Sequence, residues 1–272
     1  MMQFPVKSSF ASLLLLLLGA CASQPTVPAQ YSLGPSGSVS PFSQGLLGDQ
    51  LPTGWQPWII SRFNRNTTYR IVEDGGSRVL EADADSSASG VLQELAVKTA
   101  QYPILSWRWR VSQLVPGADL TQRGRDDSPA RVIVSFDGDR KKLDFEDRAM
   151  ADLVKLFSGR EMPYASLMYV WDSKLPVGTV LENAHSRRAM MIVVESGEQR
   201  VGQWLSFSRN IVEDYRRAYG ESPGPIISVG VMTDSNTTHS KITTYYGDIV
   251  LSVPVSDAHA LLVPSSTASS GW

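Results

Sequence analysis

Strand signals dominate the chain, and the clearest is an alternation of apolar and polar residues. Leu105, Trp107, Trp109 and Val111 alternate with Ser106, Arg108 and Arg110, the period of a strand with one face in a core and the other in water. Residues 131–136 form a β-branched run closed by the turn signal Asp137-Gly138. The same reading places strands over 68–72, 78–82, 90–97, 104–111, 130–136, 165–171, 188–195, 204–208, 226–232 and 242–253. Residues 167–171 and 190–194 are apolar on both parities, so those strands are expected to be covered on both faces. Two segments change period. Phe145, Ala149, Leu153 and Leu156 recur at helical spacing before Gly159, and Ile211, Tyr215 and Tyr219 do so before Gly220. Asn210 is the expected N-cap of the second, with Glu213 three residues on. The pattern predicts a mainly β protein, a sandwich with two short helices packed on it.

The ends of the chain read differently. Lys7, the apolar run Leu13 to Leu18 and Gly19-Ala20-Cys21 have the form of a signal peptide over residues 1–20. Leu18-Gly19-Ala20-Cys21 resembles the bacterial lipobox, in which the cysteine is lipidated; simple cleavage after Ala20 is the other reading. By resemblance to Gram-negative lipoproteins, Ala22 after the cysteine points to the outer membrane, facing the periplasm. Membrane attachment would then run through the lipid on Cys21. Residues 21–53 are rich in Pro, Gly, Ser and Gln and read as a flexible tether. Residues 254–272 read as a disordered tail. The folded domain is expected over 54–253. With one cysteine in 272 residues no disulfide can form within the chain, so packing alone must hold it. A net charge of −2 without a basic stripe argues against nucleic acid as a partner.

Several stretches together resemble one family: Trp107-Arg-Trp-Arg110, residues 126–131 (Asp-Asp-Ser-Pro-Ala-Arg), residues 163–171, Asp214-Tyr215 with Tyr219-Gly220, and residues 233–237 before Tyr246-Gly-Asp-Ile249. That family is the uncharacterised bacterial one filed as domain of unknown function 3047, and the resemblance covers about residues 55–251. It has no established activity and implies no catalytic residue. Its pattern is similar to jelly-roll antiparallel β-sandwiches of the galactose-binding and carbohydrate-binding kind, an implication for fold that does not fix function.

The densest chemistry is Arg125-Asp126-Asp127 with Arg131. Adjacent carboxylates need a cation between them. These residues and Arg123 therefore form either a self-paired structural loop or a fork that takes a ligand. One aspartate is expected to pair with Arg131 and the other to face outward. Asp234, Asn236 and Asp248 carry the hard oxygen donors that calcium prefers, although Asp, Ser and Asn are also turn formers. A structural calcium is the one cofactor these residues suggest. Of the aromatics, Trp107, Trp109, Tyr164, Tyr169, Trp171 and Trp204 are expected in the core rather than on a sugar-stacking platform. Trp55 and Trp58 are expected to be exposed or to close one end of the domain. No serine elbow, phosphate loop or His-Glu-x-x-His helix is present. The expected function is that of a lipid-anchored, non-catalytic envelope protein binding a carbohydrate-like or other small ligand. One alternative is a polysaccharide-active enzyme using carboxylates among Glu81, Asp83, Asp126 and Asp127; another is an assembly lipoprotein with a protein partner.

Overall fold

The computed structural model describes residues 39–158 and 161–254. The signal peptide, Cys21, most of the expected tether and the tail from residue 255 lie outside them. Thirteen strands are present: β1 (Trp55–Trp58), β2 (Thr68–Asp74), β3 (Ser77–Asp85), β4 (Ala88–Val97), β5 (Ile104–Val111), β6 (Arg131–Phe136), β7 (Ala165–Asp172), β8 (Val180–Asn183), β9 (Ser186–Ser196), β10 (Leu205–Asn210), β11 (Ile226–Asp234), β12 (Lys241–Tyr246) and β13 (Val250–Ser252). They form a seven-stranded sheet in the order β1-β4-β11-β6-β7-β9-β8 and a six-stranded sheet in the order β10-β5-β12-β3-β2, with β13 also paired to β5. Pairing is antiparallel except between β7 and β9. The exception follows from β8, which sits at the sheet edge and forces the chain to cross past the place β9 fills. The result is the β-sandwich that the alternation predicts, of the jelly-roll-like kind that the family resemblance implies.

The inward faces carry the expected residues. Trp107 and Trp109 of β5 meet Tyr169 and Trp171 of β7, with ring centroids 4.9 and 6.5 Å apart. Trp109, Tyr169 and Trp171 are fully buried. Among the described residues neither the Trp107 nor the Trp109 indole N–H has a partner, so these rings contribute through area and not through hydrogen bonding. The run expected as one strand over 242–253 is two. At the break, the Gly247 N–H donates to the Arg108 carbonyl, and a Cβ there would lie 2.4 Å from the Arg108 side chain.

Two expectations are corrected. The fold begins well before residue 54: Val39 and Phe42 are buried, and Phe42 packs on Trp55 at 4.5 Å. Trp55 is thus a core residue, not an exposed one. The helices also differ from each other. In α2 (Ile211–Tyr219) the Asn210 carboxamide accepts the N–H groups of Val212 and Glu213, Gly220 closes the helix at φ 72°, and Ile211 and Tyr215 are fully buried. In α1 (Phe145–Ser158) the expected apolar stripe faces water, with Phe145 79% and Leu156 77% exposed. The helix forms where the period predicts it, but Phe145, Met150, Leu153 and Leu156 stand exposed instead of packing on a sheet.

Candidate functional site

The loop that joins β5 to β6 closes the end of the sandwich where β6 starts and β11 ends. Arg131, the first residue of β6, is almost fully buried. Its guanidinium makes a two-pronged ion pair with Asp234 of β11, Nε to Oδ1 and Nη2 to Oδ2 both at 3.1 Å. It also donates to the Asp126 carbonyl and, at 3.4 Å, to Met191 Sδ. The Ser128 N–H donates to Asp234 Oδ1 at 2.9 Å. Burial pushes the Asp234 carboxyl up to about 6, against the pull of Arg131; the same carboxylate holds the Arg131 pKa above its ordinary value despite burial.

Arg131 therefore pairs with Asp234 and not with the carboxylate of Asp126 or Asp127, as the sequence suggested. Asp127 is buried and accepts from the Thr237 and Thr238 N–H groups and from Thr238 Oγ1, at 3.3, 2.8 and 2.7 Å. Asp126, also buried, accepts from the Gly124 N–H at 3.3 Å and faces His185 Nε2 at 3.2 Å. Arg123 and Arg125 point into solvent. Three of the four expected ligand contacts are thus internal to a loop lock, and His185 is a partner that sequence reasoning missed. The expected calcium donors are separated in the same way. Asp234 holds Arg131, while Asp248 accepts from the Ser43 N–H and hydroxyl at 2.9 and 2.6 Å. Asn236 stands in the turn after β11. Among the described residues no three His, Cys, Asp or Glu side chains gather as a metal-holding group.

The four carboxylates of the enzymatic alternative do not share a cleft. Glu81 and Asp83 lie on the outward face of the six-stranded sheet, opposite the inward Leu80 and Ala82, whereas Asp126 and Asp127 lie in the loop lock. That outward face is closed by its own side chains. Register aligns Arg110, Tyr245, Glu81 and Arg70 in one row, with Trp204 just before β10 beside Arg110. The Arg110 guanidinium lies 4.1 Å from the Tyr245 ring centre and that of Arg108 4.7 Å from Trp204. Asp74 accepts from Arg110 Nη2 and Trp204 Nε1, both at 2.7 Å, and Glu81 from Arg70 Nε at 2.7 Å.

The outward face of the seven-stranded sheet is divided. At the Arg131 end, Leu120 and Leu175 from loops pack over Val170, Met191 and Val193. Elsewhere it is partly exposed, with Gln56, Leu92, Met168, Ser228 and Ser166 half-buried and Ile133 and Ser135 of β6 buried. Register sets Gln56, Leu92, Gly230, Ile133 and Met168 in one row, and Glu94, Ser228, Ser135 and Ser166 in the next. Trp58 stands at the β1 margin, half-buried against the cluster of Ala88, Ile133 and Met232, on which Met168 also packs. Its indole lies over Gly90, where a Cβ would come within 2.9 Å of Cε3; glycine lets the ring reach the strand. Among the described residues no cation stacks on Trp58. The Ser135 and Ser166 hydroxyls share one hydrogen bond at 3.1 Å, and Gln56 donates to Glu94. This arrangement can stack a flat apolar ring on an indole while hydroxyls exchange hydrogen bonds with the ring's edge.

No curated protein matches the chain in sequence. Among solved structures, it is similar to a family 11 carbohydrate-binding module of a Clostridium thermocellum cellulosomal cellulase, at 10% identity and TM-score 0.40, over 79% of this chain and 92% of that one. It is also similar to the xyloglucanase domain of NopAA, a type three effector from Sinorhizobium fredii in complex with cellobiose, at 10% identity and TM-score 0.41, over 76% and 97%. Residues 53–250, most of the described chain, match the family described as Protein of unknown function (DUF3047), and the protein belongs to that family.

Proposed function

We propose that this domain is a non-catalytic binding module for a saccharide chain, which lies on the open part of the seven-stranded sheet. The observation that carries the reading is the half-buried Trp58 on the same sheet face as the row Ser228, Ser135 and Ser166, roughly 13 Å from it along the strands. The indole offers one pyranose ring a stacking surface with no cation to displace. The serine row and Glu94 offer acceptors and donors along the path of a chain. The module is held at the bacterial envelope by acylation of Cys21, with the outer membrane as the expected location. Support for the anchor is the Leu18-Gly19-Ala20-Cys21 motif.

Affinity electrophoresis of the full chain through gels containing β-glucan, galactan or mannan, or peptidoglycan fragments, tests the reading. At least one polymer should retard the protein, and Trp58→Ala should abolish the retardation while thermal unfolding stays cooperative. Equal retardation of parent and Trp58→Ala, or none by any polymer, removes this face as the site.

A further inference from the structure

The feature that the saccharide face leaves unexplained is α1. Phe145, Ala149, Leu153 and Leu156 fall within about 80° of arc at 100° per residue, and Met150 extends the stripe. Phe145 is 79%, Leu156 77%, and Met150 and Leu153 each 48% exposed. Exposed apolar side chains this concentrated mark a contact surface. The polar side is held by the domain: Arg187 pairs with Asp144 at 2.6 Å and Glu146 at 3.2 Å, and lies 3.9 Å from Asp147. The first-turn acids are thereby offset. Just before the helix, Arg140-Lys141-Lys142 presents three cations, two of them in loose pairs at 3.9 and 3.6 Å with Glu161 and Glu221.

Position in the fold identifies the occupant. α1 leaves the sheet at the row Val97–Ile226–Phe136–Ala165. The described chain enters at the middle of β4, where the Ser40 N–H donates to Gln93, roughly 13 Å along the strand from Val97. Residues 22–38 separate Cys21 from Val39 and can reach at most about 60 Å. An acyl chain on Cys21 would therefore keep α1 near a bilayer at high effective concentration, and a short amphipathic helix needs only weak intrinsic affinity under that condition.

We propose that α1 is a membrane-docking helix that inserts Phe145, Leu153 and Leu156 into the headgroup boundary of the bilayer holding the lipid anchor. This inference rests on the lipoprotein reading of Cys21. It gives the domain a fixed attitude: the α1 end lies on the membrane, and the opposite end, with the loop lock and Asp85, points away. Ligand would then be taken from the aqueous side.

With Cys21 acylated, a Leu156→Cys variant of the full chain has one free thiol, as does Asp85→Cys at the end of β3 away from α1. Each is labelled with an environment-sensitive fluorophore and reconstituted in phosphatidylethanolamine–phosphatidylglycerol vesicles, with or without doxyl-labelled lipid. The Leu156→Cys label should shift to the blue and lose about half its emission to the doxyl quencher, and the Asp85→Cys label should do neither. If the protein floats with the vesicles and neither label is quenched, the docking helix is wrong and the anchor stands. If the protein does not float, the anchor is wrong and the inference falls with it. A blue shift without vesicles, accompanied by a dimer mass, assigns the stripe to a second copy of this chain and likewise overturns the proposal.

Discussion

On the outward face of the six-stranded sheet, Trp204 lies beneath the guanidiniums of Arg108 and Arg110; on that of the seven-stranded sheet, no cation among the described residues covers Trp58. The first face completes itself: each ring has a cation, and the Arg110 and Arg70 cations have acids in Asp74 and Glu81. A ligand there would have to displace contacts worth about 0.5–2 kcal/mol each. Among the described residues the second face leaves a half-buried indole with no stacked cation and a Ser228 hydroxyl with no hydrogen-bond partner, contacts that a ligand can add without displacing an ion pair. Residue type alone does not separate the two faces, since both carry tryptophan, acids and hydroxyls. What separates them is whether neighbouring strands bring a cation within reach of the ring.

The strongest way to break this comparison concerns the covered part of the seven-stranded face, which is read here as structural. Arg131→Ala leaves the buried Asp234 carboxylate without its counter-ion and should lower stability by about 3–5 kcal/mol, measured by urea melts. A loss below about 1 kcal/mol would mean the loop lock is not structural, and Asp126, Asp127 and Arg131 would return as ligand candidates.

Glu81→Ala tests the other face. Glu81 is buried and accepts from Arg70 at 2.7 Å, so its removal should cost about 1–3 kcal/mol with no change in saccharide retardation. Retardation lost without any change in stability would move the binding site to the six-stranded face.

The pH dependence of the lock sharpens its structural reading. Asp234 is raised from 3.8 to about 6 in the folded protein. A raised carboxyl binds more protons folded than unfolded, so its contribution is fully present below pH 3.8 and is lost as pH rises through 6. Relative to Asp234→Asn, the parent should therefore gain about 1–2 kcal/mol as pH falls from 7 to 4.5. The opposite slope in paired melts would show that Arg131 outweighs burial.

Local features of this arrangement are legible in the chain. The alternation from Leu105 to Val111 matches β5 from end to end, and Asn210 with Gly220 brackets α2. Pairings between distant segments are not legible, because nothing local encodes them. Arg131 and Asp234 are 103 residues apart, and the nearer acids Asp126 and Asp127 were the obvious partners. The β1 strand carries Pro57 in a four-residue run and lacks a periodic signal, which hid the register of Trp58. Phe42 sits in a stretch whose composition reads as tether. For α1, periodicity identifies the apolar side but cannot tell whether a partner exists to cover it.

The smallest expected effect is the most discriminating for the open face. Ser228 is half-buried, and its hydroxyl has no partner among the described residues; Ser135 and Ser166 already share a bond. Removing an unpaired, solvent-reached hydroxyl leaves no buried group unsatisfied, so Ser228→Ala should change stability by no more than about 0.5 kcal/mol. If a saccharide hydroxyl bonds to Ser228 in the complex, the same change should weaken binding by about 0.5–1.5 kcal/mol, a few-fold to tenfold in Kd. Titration calorimetry with the polymer selected by electrophoresis reads the second quantity, and thermal melts read the first. An unchanged Kd together with a loss of retardation in Trp58→Ala would place the ligand along the β1 margin, over Trp58 and Leu92, and away from the serine row.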